Sequence, residues 1–183
     1  MKYAFVNGKI LDGGRDMQVR EGLVILTDGE KITGLVREVP KAADVKVIDL
    51  GGRYIMPGLI NMHVHLAGNG KPQKKQRDNE KLVKTLMGTA LSRAVAYKVV
   101  SDFAKTELLS GVTTIRTVGG LGDFDTKLRD EVAAGKKIGP RILAANEGIS
   151  VPGGHMAGSV AVAAAGIDEA LRQLEHARMR RSI

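Results

Sequence analysis

Along the first part of the chain, short apolar runs are broken by two-residue turn signals. Ala4–Val6 is followed by Asn7-Gly8 and Lys9–Leu11, Leu23–Thr27 by Asp28-Gly29 and Ile32–Val36, and Val45–Leu50 by Gly51-Gly52 and Tyr54–Met56. Asn-Gly, Asp-Gly and Gly-Gly tolerate positive φ at both central positions, which a twisted hairpin requires. The pattern predicts three hairpins, and with them a small β-sandwich part over residues 1–56.

Pro57-Gly58 marks a change of pattern, and residues 57–183 read as strands alternating with helices. Leu59–Leu66 is a predicted strand. Val83, Met87, Leu91, Val95, Val99 and Phe103 recur every four residues, the stripe of an amphipathic helix ending near Ser110-Gly111 and long enough that a break inside it is expected. Val112–Val118 reads as a strand, Asp125–Ala134 as a helix, Arg141–Ala145 as a strand, and Ile167, Leu171 and Leu174 as the stripe of a last helix starting near Asp168. Strands separated by helices pair in parallel, because the crossover returns the chain to the same end of the sheet. The class is α/β, with room for about three such units where a closed eight-unit barrel takes about 250 residues. The sheet is therefore open, or the barrel incomplete.

Composition narrows the function classes. With 43% hydrophobic residues and no cysteine in 183 positions, neither a disordered chain nor a disulfide scaffold fits. No apolar run reaches the roughly 18 residues of a membrane span and no signal-like segment opens the chain, so a cytoplasmic protein without a membrane partner is expected. The net charge of +8 permits weak attraction to nucleic acid. Lys71, Lys74, Lys75 and Arg77 have no interleaved aromatics for base stacking, however, so no nucleic-acid partner is expected. Arg172, Arg178, Arg180 and Arg181 fit a solvated helix end, and His176 among them a surface residue.

The sharpest chemical feature is His63-Val64-His65. Side chains alternate along a strand, so the two imidazoles share one face while Met62, Val64 and Leu66 share the other and pack on helices. Two imidazoles so spaced can reach one divalent metal ion, with zinc the first choice for a histidine and carboxylate donor set. A catalytic zinc needs three protein ligands, and elsewhere the chain offers His155, His176 and carboxylates. The same pair also fits packed or hydrogen-bonded side chains. His155 closes the glycine-rich loop Val151-Pro152-Gly153-Gly154 beyond the third strand, where it could meet a substrate or be an exposed turn residue. Gly119-Gly120-Leu121-Gly122 lacks the spacing of a nucleotide-binding loop and reads as a strand-to-helix connection. No nucleophile elbow is present.

The run from Asp49 through Pro57-Gly58 to His63-Val64-His65-Leu66 resembles the barrel entry of the amidohydrolase superfamily. Gly111–Arg116, Leu128-Arg129, Gly139–Leu143 and Gly148–His155 extend the match. Together they resemble the branch holding prolidase-type metal-dependent dipeptidases and imidazolonepropionase-like enzymes. The resemblance implies a β-sandwich attached to a TIM-like (β/α)8 barrel that hydrolyses amide bonds of dipeptide-like or cyclic substrates with metal-activated water. It gives His63 and His65 the role of metal ligands and His155 a contact to the substrate carbonyl or carboxylate.

Asn61 and Thr117 depart from the resemblance, since members usually have Asp at the first position and often at the second. The lysine, histidines and aspartate carried by the family's later strands have no counterpart before Ile183, and residues 178–183 do not resemble the family's passage to the fourth strand. The expectation is the first three βα units of an incomplete barrel, inactive in isolation and needing the remaining barrel half or another chain, with a homo-oligomer as one route. The rival is a non-catalytic, truncated remnant serving as a binding or assembly module.

Overall fold

The computed structural model describes residues 1–41, 44–68, 70 and 78–179. Lys71, Lys74, Lys75, Arg77, Arg180 and Arg181 lie outside the described residues. The chain divides into two compact units, Met1–Pro57 and Gly58–Ile183.

The first unit contains β1 (Lys2–Val6), β2 (Lys9–Leu11), β3 (Val19–Arg20), β4 (Val24–Asp28), β5 (Lys31–Val36), β6 (Val45–Asp49) and β7 (Tyr54–Ile55). They form two sheets, ordered β5-β4-β1-β6 and β3-β2-β7. β4 and β5 are the expected antiparallel hairpin, with Asp28 opposite Lys31, so the turn itself runs through Gly29-Glu30, one residue later than the Asp28-Gly29 signal. The other two turn signals do not make hairpins. β1 runs parallel to β6, and β2 parallel to β7, so Asn7-Gly8 and Gly51-Gly52 are corners where neighbouring segments pass together from one sheet to the other.

Backbone bonds continue around this corner, with Leu50 N–H donating to Val6 O at 2.9 Å and Gly52 N–H to Asn7 O at 2.7 Å. The Asp49 carboxylate accepts from Gly51 N–H and the Asn7 side-chain amide, and these bonds hold it below the usual carboxylate range. A pair that tolerates positive φ marks where the backbone bends, here at Asn7 with φ 54°. It does not choose the partner strand, which is set by packing, and two of the three expected hairpins are corners for that reason.

The second unit contains β8 (Leu59–Val64), α1 (Asn79–Met87), α2 (Ala90–Leu109), β9 (Val112–Thr117), α3 (Phe124–Ala133), β10 (Arg141–Leu143), β11 (Gly148–Ser150), β12 (Ala161–Ala163) and α4 (Ile167–Met179). Its main sheet is parallel, ordered β10-β9-β8, as the strand-helix alternation predicts. The expected break in the long helix falls at Gly88-Thr89, where the Thr89 hydroxyl accepts from Ser92 N–H and the Ser92 hydroxyl accepts from Thr89 N–H. β11 and β12 form a short parallel pair, too brief to show any periodicity in sequence.

One apolar cluster joins Val64 and Leu66 to Val100 of α2, Ile115 of β9, Leu128 of α3 and Ile142 of β10. Tyr97 O–H donates to Glu131 at 2.7 Å, tying α2 to α3. Leu59, Ile60 and Met62 on the edge strand β8 are exposed, and so is the α4 stripe of Ile167, Leu171 and Leu174. The sheet does not close into a barrel among the described residues. No helix among them is long and apolar enough to cross a membrane.

One carboxyl lies in the interior, Asp125 in the first turn of α3, 1% exposed. Burial lifts it to about 6, against the opposing pull of the Thr117 hydroxyl and of His65. Its pKa is thus higher folded than unfolded, so its stabilising contribution is present below about pH 4 and lost as the pH rises through about 6, an effect on the order of 3 kcal/mol. Urea unfolding of wild type and Asp125→Asn is expected to show the variant gaining on the wild type between about pH 4 and about pH 7. Leu128, fully buried, sets the scale for the core: Leu128→Ala is expected to cost about 2–5 kcal/mol, read from the shift of the urea midpoint.

Candidate functional site

The site grows from the C-terminal end of β8. Asn61 pairs with Ile115 and Val64 with Thr117, which leaves two residues of β8 against one of β9, so the strand bulges across Met62 and His63. The bulge has its own hydrogen bonds: Arg116 Nε donates to Met62 O at 3.0 Å, and His63 N–H donates to Asn61 Oδ1 at 3.2 Å. Val64 and Leu66 are buried, whereas Met62, expected to pack with them, is 46% exposed.

Past the bulge the two imidazoles meet edge to face, their centroids 5.2 Å apart. His65 Nδ1 lies 3.1 Å from Gly119 O. A carbonyl can only accept, so Nδ1 carries the proton and the lone pair of the neutral ring lies on Nε2. This contact needs glycine at 119: a Cβ there, at φ +153°, would lie 3.0 Å from His65 Nδ1 and 3.2 Å from Val160 O. The loop read as a simple connection is thus the support of His65.

Behind it lies a polar cluster that the sequence did not announce. Thr117, fully buried, accepts from Ala145 N–H at 3.3 Å and stands beside the Asp125 carboxyl, where it favours the charged form. Asn146, just past β10, accepts from Thr126 N–H at 3.1 Å and so caps the start of α3, where Asp123 makes no side-chain cap bond. Asp125 and Asn146 carry only an ordinary helix-start and loop signal in sequence. Their joint burial follows from β9 and β10 lying side by side.

An open cleft of about 590 Å³ borders Asn61, His63 and His65, with Phe103, Thr106 and Glu107 of α2 on its far wall. His155 is exposed on the turn between β11 and β12 and is not among the residues lining this cleft. His176 is exposed on α4. The structure therefore brings His63 and His65 together, and among the described residues His155 does not join them in a group able to hold an ion.

The donor chemistry of the pair fits a divalent metal ion: two imidazoles lie side by side, one with its tautomer set by a backbone carbonyl, as metal-ligating histidines generally have it. It fits as part of a ligand set. Among the described residues no third His, Asp or Glu joins them in a group able to hold an ion.

Residues 54–181 match the amidohydrolase family. An imidazolonepropionase of Bacillus velezensis is 30% identical over 146 residues, covering 69% of this chain and 34% of that enzyme. A dihydroorotase of Trichlorobacter lovleyi is 37% identical over 70 residues, 36% of this chain and 16% of that enzyme. A prolidase solved with N-methylphosphonate-L-proline superposes with a TM-score of 0.79 at 21% identity, over 98% of this chain and 44% of its own. The chain thus spans about a third or less of these curated relatives and under half of the prolidase, and the likeness to the latter shows the fold. Its mixed α/β architecture is that of a partial amidohydrolase barrel, and the resemblance read from the His-x-His strand and the segments after it holds. The chain belongs to the amidohydrolase family.

Proposed function

We propose that this chain is the N-terminal portion of a metal-dependent amidohydrolase cleaving an amide C–N bond in a small molecule, dipeptide-like or cyclic. One observation carries the reading: in a family whose members hydrolyse such bonds, His63 and His65 stand together at the C-terminal end of the first parallel strand, with a carbonyl fixing the His65 tautomer. That end of a βα barrel is where such enzymes place their chemistry. Relatives named for imidazolone propionate and dihydroorotate, and a structural neighbour named for proline dipeptides, support a small amide substrate.

His63 and His65 would hold the ion, with zinc favoured by the imidazole donors. When bound, such an ion supplies a Lewis acid that polarises the scissile carbonyl and activates water. The chain's own contribution is orientation. The Asn61 side chain holds the His63 backbone within the bulge, and Gly119 O keeps the His65 Nε2 lone pair available. His155 is assigned to the substrate carbonyl or carboxylate, supported by its glycine-rich loop beyond the third unit and its exposure there. The remaining ligands and the general base belong to further barrel strands, of this polypeptide or of another chain, that would cover Leu59, Ile60 and Met62.

A titration of the purified 183-residue chain with Co(II) or Zn(II) is expected to show one site, weakened at least about 10-fold by His63→Ala or His65→Ala and unmoved by His155→Ala. Absence of binding by the wild type would sink the metal assignment and favour the assembly-module reading. The metal-loaded chain is also expected to show no turnover of dihydroorotate or Xaa-Pro dipeptides. Chelator-sensitive hydrolysis would overturn the claim that the general base lies elsewhere.

A further inference from the structure

We propose that Asp125 is a positioning residue for His65: its buried carboxyl, packed against Gly120, holds the Gly119 carbonyl where it selects the His65 tautomer. The proposal rests on His65 offering Nε2 to a ligand, as argued above, and extends that site to a residue that does not touch the cleft.

Three observations support it. First, the Gly119-Gly120 turn is held from two sides. A Cβ at Gly119 would lie 3.0 Å from His65 Nδ1, and a Cβ at Gly120 would lie 2.5 Å from Asp125 Oδ2. Neither neighbour tolerates a side chain there, so the turn is a spacer of backbone thickness between the ring and the carboxyl. Second, the Thr117 side chain stands beside the Asp125 carboxyl and favours its charged form, and the Thr117 hydroxyl oxygen accepts from Ala145 N–H at 3.3 Å. The carboxyl thus stands against the ends of β9 and β10. Third, Asp125 is 1% exposed and its Oδ2 has no hydrogen-bond partner.

Leaving such an oxygen unsatisfied carries a desolvation cost. A helix-start carboxylate meant only to complement the dipole of α3 would do so from the surface, without that cost. Capping does not explain it either, because the Asn146 side chain takes the Thr126 N–H. What burial does achieve is a wall behind Gly120. Without it the turn can relax away from the ring, and a neutral imidazole freed from Gly119 O reverts toward the Nε2–H tautomer, with no lone pair on Nε2 for a ligand.

The test is a long-range 1H–15N correlation spectrum of the purified protein at about pH 8, where a free imidazole is neutral. Wild-type His65 is expected as the Nδ1–H tautomer. Asp125→Ala is expected to convert it largely to the Nε2–H form and to weaken Zn(II) binding about 10-fold. Asp125→Asn, which keeps the shape, is expected to retain the wild-type tautomer. Gly120→Ala, which displaces the carboxyl while leaving Asp125 in place, is expected to reproduce the Asp125→Ala spectrum.

A folded Asp125→Ala protein with an unchanged His65 tautomer would overturn the proposal. If that variant does not fold, Gly120→Ala, which keeps the Asp125 side chain, serves in its place, and an unchanged tautomer there has the same force. The metal assignment fails separately: a wild-type His65 in the Nδ1–H form, lost in Asp125→Ala, in a protein that binds no zinc would leave the role of Asp125 standing.

Discussion

Parallel pairing of β8 with β9 brings residue 65 beside residue 119, and the polar groups at that end of the sheet take their places from this contact. Two opposite register shifts, one between Leu59 and Ile60 and one across Met62 and His63, cancel, so that Val64 lies opposite Thr117 as Leu59 lies opposite Val112, and the ring of His65 falls on the glycine turn that follows β9. Gly119 then fixes the ring, Gly120 admits the Asp125 carboxyl behind it, and Thr117 accepts from Ala145 N–H just past β10. A regular strand would place His63 and His65 on one face as well; the irregular one adds the Asn61 side-chain bond to the His63 backbone.

This end of the sheet departs from the way the rest of the unit is stabilised. The apolar cluster around Ile115, Leu128 and Val100 is satisfied by contact alone. The layer above it spends stability on a buried carboxyl with an unsatisfied oxygen, on glycines, and on a strand irregularity. Deviations of this kind gather where a structure must hold a reactive group in one orientation. Elsewhere the unit leaves apolar residues without cover, along the β8 edge at Leu59 and Ile60 and along α4 at Ile167 and Leu171. Both surfaces have the pattern of elements meant to be packed on, since parallel sheets and amphipathic helices bury their apolar faces in complete βα folds.

The first unit shows the same dependence of local signals on distant partners. Asn7-Gly8 and Asp28-Gly29 are chemically alike, yet one is a corner between sheets and the other a hairpin. β1 finds β6 and β4 as neighbours, so the chain after Asn7 has no vacancy beside β1 and continues into the second sheet alongside β7.

Much of the second unit was legible in the sequence. The strands at 59, 112 and 141, the helices between them and their parallel order follow from periodicity and crossover geometry, which are short-range and additive. The His-x-His spacing and the flanking segments likewise carried the family, because a strand's alternation relates residues only two apart. What the sequence could not reveal was long-range: the bulge across Met62 and His63, the corners in place of hairpins, and the burial of Asp125 and Asn146. Each depends on which residues of another strand lie opposite. The amino-acid order by itself determined the α/β class, the paired imidazoles and the glycine turn. Only the tertiary structure decided that the turn's carbonyl would meet His65 and that a carboxyl would stand behind it, because β-sheet register is chosen by packing between segments far apart in the chain.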